Sequence, residues 1–284
     1  MFNRTHCGAV SHLLTVLVAI SLLMAACYPA VPATTQPDST MASAPMATLE
    51  PTATTAPPAT AVLTPDSSPQ FSLETGGMAT GFQSETVAAV SAGDNAPYWE
   101  VLPAYTRVTL QGYPISSHLM QPQIFIYPAE ELGAVNEGAG TMVSSLQALL
   151  QSPQDMPTMP FLPPFNATQV MHTHLQYLDF KGGQGLRYLT EYDQGLVPVN
   201  NYELIYTYQG LTSDGKYYVA AVLPVNHPSL PADAAVTGNE PAEFTSDFPT
   251  YLANVASSLN PQGANTFTPD LTQLDAMMSS LEVK

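Results

Sequence analysis

The chain has 284 residues and carries 23 Asp and Glu against 6 Lys and Arg, a formal charge of −17. So few cations exclude a phosphate-backbone binder, because nucleic-acid affinity rests on Lys and Arg displacing counterions. Only 10% of residues are charged, while 27 prolines accompany 45% apolar residues, a balance that predicts a chain folded over only part of its length.

The N-terminus comes first. Arg4 lies in a short polar start, and Leu13 to Met24 form an uncharged apolar run. At about 12 residues the run fits the roughly 7–15 of an export-signal core and falls short of the ~20 that a membrane span needs. Met24-Ala25-Ala26-Cys27 follows directly. This tetrapeptide resembles the lipobox of bacterial lipoproteins, with Met24 where leucine is usual. The resemblance implies that residues 1–26 are a signal peptide and that cleavage leaves Cys27 as the new N-terminus. It also implies that the Cys27 thiol carries a diacylglycerol, with palmitate-type acyl chains in the cell membrane on its extracytoplasmic side. The lipid bilayer is then an expected partner, through Cys27. An ordinary secretory signal beside an incidental cysteine is the alternative. Cys7 falls in the removed part, so Cys27 would be the only mature cysteine and no internal disulfide can form.

Residues 28–84, grouped with Cys27 as the segment 27–84, are dominated by Ala, Thr, Pro and Ser. Large apolar residues are too sparse there to offset the ordering entropy, which predicts a disordered tether. As a flexible coil, its 57 residues would span roughly 40 Å.

Residues 85–284 read as one α+β domain with an antiparallel sheet of about six strands and flanking helices. Tyr105 to Tyr113 alternates as a half-buried strand, and Gln123 to Tyr127 is a continuous apolar strand closed by Pro128. Leu132, Val135, Met142, Leu146 and Leu149 or Leu150 then mark a helix over 129–151, with Gly138 and Gly140 as candidate break points. Two hairpins follow: Val170–Phe180 with Leu186–Tyr192 across Lys181-Gly182-Gly183-Gln184-Gly185, and Tyr202–Tyr208 with Lys216–Leu223 across Ser213-Asp214-Gly215. Phe248, Tyr251, Leu252, Val255 and Leu259 predict one terminal helix. Thr268-Pro269-Asp270 predicts a cap, with proline at the first position of a last helix striped by Leu271, Leu274, Met277, Met278 and Leu281. The layout resembles the PsbP-type sandwich of small secreted or lumenal domains, and Gln209 to Val219 is similar to a segment of uncharacterised bacterial lipoproteins. The first likeness concerns topology alone, and the second implies location.

Four features bear on chemistry. His172 and His174, alternating along a predicted strand, are expected on one face, where their imidazoles could share Zn or Cu with a further ligand such as Glu191 or Asp193. The alternative is two histidines on a solvated sheet face. In the proline-rich stretch 153–165, Met156, Met159, Phe161 and Phe165 could form a preorganised docking surface, or simply pack on the core. The tyrosines between 177 and 218 could stack on a ligand or pack across strands. Asp179, Glu191, Asp193 and Glu203 could pair as carboxylates, yet no G-x-S-x-G, P-loop or H-E-x-x-H pattern is present and no cofactor is expected. The reading that results is a membrane-anchored extracytoplasmic protein whose domain binds an envelope protein or a small ligand. The alternatives are metal binding centred on His172 and His174, and a structural envelope role.

Overall fold

The computed structural model describes residues 69–284; the expected signal peptide, Cys27 and the expected tether as far as residue 68 lie outside the described residues. In chain order the strands and helices are β1 (Phe71–Ser72), β2 (Gly81–Val87), β3 (Tyr105–Gln111), β4 (Gln123–Pro128), α1 (Ala129–Val135), α2 (Glu137–Gln151), β5 (Thr168–Tyr177) and β6 (Gly183–Asp193). They continue as β7 (Ile205–Thr212), β8 (Tyr217–Pro224), α3 (Ala242–Ser246), α4 (Phe248–Leu259), α5 (Leu271–Ser280) and β9 (Glu282–Val283). Seven strands form one antiparallel sheet in the order β2-β3-β4-β8-β7-β6-β5. Two meanders, β2-β3-β4 and β5-β6-β7-β8, therefore join through the β4–β8 pairing. The long connection that carries α1, α2 and the proline-rich stretch runs between β4 and the far edge strand β5.

Both faces of the sheet are covered, which is why the central strands read as continuous apolar runs instead of alternating ones. Phe125, Tyr127, Tyr188 and Tyr218 meet Leu132 of α1 and Val143, Leu146 and Leu149 of α2 on one face. Ile124, Ile126, Tyr206, Tyr208 and Val219 meet Tyr251 and Leu259 of α4 and Leu271, Leu274 and Met278 of α5 on the other. Each layer buries its own apolar stripe, as a three-layer α+β domain requires.

Three boundaries differ from the sequence expectation. The fold begins before residue 85: β1 pairs with β9, Phe71 to Val283 and Ser72 to Glu282, and β2 is a seventh sheet strand. β2 is an edge strand with residues 82–86 exposed, so no core-facing alternation marks it. The helix expected over 129–151 is broken at Asn136, not at the glycines. Asn136 is extended at φ −139°, its Oδ1 accepts the Ala139 N–H at 2.9 Å, and its Nδ2 donates to the carbonyls of Tyr98 and Val101. Gly133 and Gly140 instead let α1 and α2 touch, since a Cβ on Gly140 would lie 3.0 Å from the Gly133 Cα. The cap of α5 is Asp270, whose Oδ1 accepts the Thr272 N–H at 2.8 Å, while Thr268 bridges to the backbone of Asn226. Among the described residues no helix is long and apolar enough to cross a membrane.

Candidate functional site

β5 carries His172 and His174, but it is not a regular strand. Its pairing with β6 shifts between Thr173 and Gln176, and His174 has a positive φ of 53°. Such a bulge breaks the period-two alternation. Arg187, buried on β6, explains it: its Nη1 donates to the His174 carbonyl and its Nη2 donates to Gln176 Oε1 at 2.7 Å. Arg187 is itself held by Asp275 of α5, through Nε to Oδ1 at 3.0 Å, and Tyr206 Oη donates to the same Oδ1 at 3.0 Å.

The consequence is that the two imidazoles part. Thr173 and His174 turn toward α4: Thr173 Oγ1 donates to the Ala256 carbonyl, and His174 Nε2 lies 2.8 Å from the Leu259 carbonyl with its ring on Phe267. Burial lowers the His174 pKa, against the opposing effect of that carbonyl. His172 faces the α2 side, edge-on to Tyr188, with Nε2 2.6 Å from Asp155 Oδ1. The expectation of both rings on one face is therefore corrected, and the bulge is the physical reason. His172, His174, Asp155 and Asn260 still border one cleft of about 340 Å³ at the sheet edge, closed on its other side by the end of α4. A carboxylate this close to an imidazole nitrogen fixes the ring and its tautomer.

A second polar centre lies at the end of β6. Ligating oxygens of Glu191, Asp193 and Glu203 all fall within 4.8 Å of one another, close enough to share a proton or to surround a cation. Glu191 has no solvent exposure. Asn200 supplies the donors: its backbone N–H reaches Glu191 at 3.0 Å, and its Nδ2 reaches Glu191 and Glu203. Asp193 Oδ2 is buried without a hydrogen-bond partner. Among the described residues no Lys, Arg or His forms an ion pair with any of the three. Desolvation, aided by the neighbouring charges of Glu203 and Asp193, pushes the Glu191 carboxyl up to about 9, and desolvation with Glu203 raises Asp193 to about 6. At neutral pH Glu191 is therefore a protonated acid that ties residues 198–203 to the sheet.

The proline-rich stretch packs on the core. Met159 and Phe161 are buried, while Met156 and Phe165 are only partly covered. Gln209 of β7 pins the stretch by accepting the Leu162 N–H at 3.0 Å and donating to the Leu162 carbonyl at 3.1 Å; Tyr218 Oη donates to the same Gln209 Oε1. A docking surface that used Met159 and Phe161 would first have to peel this segment away. Tyr188, Tyr206, Tyr208 and Tyr218 are likewise fully buried and serve as sheet packing.

Asp155 as the partner of His172, and Asn200 as the donor to Glu191, escaped sequence reasoning because each contact joins an irregular loop to a strand. The strand pairing could have placed Glu191 opposite Met171, but not the loop that closes over it. No family model, no curated protein and no solved structure matches the chain.

Proposed function

We propose that the protein is a lipid-anchored, extracytoplasmic binding protein, held by an acylated Cys27 in the cell membrane and presenting its α+β domain to an envelope protein or small ligand. The observation that carries this reading is Met24-Ala25-Ala26-Cys27 closing an uncharged apolar run too short to span a bilayer. Two further features support it. Among the described residues the first strand starts at Phe71, and residues 28–70, between it and Cys27, have an Ala/Thr/Pro/Ser-rich composition suited to a tether. Residues 69–284 hold 20 acids against 5 bases, a balance that anionic lipid headgroups repel, so an acyl anchor is needed to keep the domain at the membrane.

Replacing Cys27 tests the reading. Cys27→Ser should move the protein from the membrane fraction to the aqueous fraction and abolish incorporation of labelled palmitate. Unchanged membrane association of this variant would refute the anchor.

A further inference from the structure

We propose that the cleft between β5 and the C-terminal end of α4 is a divalent transition-metal site centred on His172 and Asp155, with His174 outside its ligand set. The inference deepens the reading of the domain as a binding module and rests on it.

The electrostatics of the cleft favour a cation from two directions. Asp155 contributes a carboxylate that is 70% exposed. The last turn of α4 points its carbonyl end at the cleft and holds no basic residue. Asn260, the C-cap of that helix, is not a ligand, because its amide oxygen already accepts from the His174 N–H and faces the Thr173 hydroxyl. The acidic field of the whole domain acts in the same sense.

Chemistry then selects the class of cation. The place where the imidazole Nε2 and the carboxylate Oδ1 face each other across 2.6 Å is occupied by one proton at most. An imidazole nitrogen with a carboxylate oxygen suits Zn²⁺ or Cu²⁺ better than a hard ion, which would take oxygens alone. A zinc ion replacing the proton needs about 2.0–2.2 Å to each atom, so the pair must open. Asp155 can make that adjustment because it is exposed, while its neighbour Gln154 anchors the loop through backbone hydrogen bonds to Tyr177 Oη in both directions at 3.0 Å. His172 stays fixed, its side chain 15% exposed and its ring against Tyr188. Solvent would fill the remaining coordination positions, giving a site that loads and releases its ion readily.

His174 does not complete the set. Its Nε2 is engaged by the Leu259 carbonyl and its ring is packed on Phe267, so drawing it to an ion held by His172 would undo the bulge that Arg187 maintains. The Glu191 centre is a different place, closed over by residues 198–203 and lacking an imidazole.

The experiment uses full-length protein in detergent, with Zn²⁺ alone as the titrant in calorimetry. The wild type should take up one ion per chain. His172→Gln and Asp155→Asn should each weaken binding by about tenfold or more, whereas His174→Gln and Glu191→Gln should leave the affinity within about twofold. Absence of zinc uptake by the wild type overturns the proposal, as does a loss with His174→Gln or Glu191→Gln equal to that with His172→Gln. Should His174→Gln fail to fold, the imidazole proton resonances of the wild type decide: zinc must shift those of His172 and leave those of His174. Membrane anchoring is read separately by fractionation of Cys27→Ser, so failure of zinc binding removes this site and leaves the anchor standing.

Discussion

Raising the pH from 7 to 9 should destabilise the domain, and Glu191→Gln should remove that dependence. Unfolded, the Glu191 carboxyl titrates at its ordinary value of 4.5; folded, desolvation and the nearby charges of Glu203 and Asp193 raise it to about 9. Between those values the folded state keeps a proton that the unfolded state has released. The associated stability is therefore complete below about pH 4.5 and is lost as pH climbs through 9. One proton corresponds to about 1.4 kcal/mol per pH unit, and the slope falls as the folded group itself titrates near 9, so roughly 2 kcal/mol disappears between pH 7 and 9. This window lies above the titration of Asp193, which is raised to about 6. It also avoids His118, His174 and His227, whose lowered pKa values act below 6.5 and with the opposite sign. Urea unfolding at half-unit pH intervals measures the slope. Glutamine mimics the protonated acid, so the Glu191→Gln curve should be flat from pH 7 to 9. A wild-type stability that holds constant over that range, or a variant with the wild-type slope, would show that Glu191 is ionised in the fold.

Two further perturbations test the buried polar network. Arg187→Leu strands the Asp275 carboxylate, which is 15% exposed, and frees the His174 carbonyl; stability should drop by about 3–5 kcal/mol, and a loss under ~1 kcal/mol in chemical denaturation would contradict the ion pair. Gln209→Leu leaves the Leu162 N–H and carbonyl and the Tyr218 hydroxyl without their partner, for a loss of about 2–4 kcal/mol. It should also expose residues 153–165 to protease before the rest of the domain, and a cleavage pattern identical to that of the wild type would argue against the pin.

The amino-acid sequence alone determined the elements whose physics is local. The hairpin β7–β8 was legible because Ser213-Asp214-Gly215 supplies its turn between two apolar runs. The stripe of α4 was legible because Phe248, Tyr251, Leu252, Val255 and Leu259 repeat at helical spacing. β2 was not, since an exposed edge strand carries no core-facing pattern, and its membership depends on β3 presenting a free edge. The site divides the same way. Residue type and spacing singled out His172, His174, Glu191 and Asp193, because charge and imidazole chemistry are properties of side chains. Which of them meet was decided by tertiary structure: Arg187 reaches across to α5, bulges β5 and turns His174 away from His172, while Asp155 and Asn200 arrive from loops no periodicity describes. A contact between a strand and an irregular loop depends on the whole path of the chain, and no local pattern encodes it.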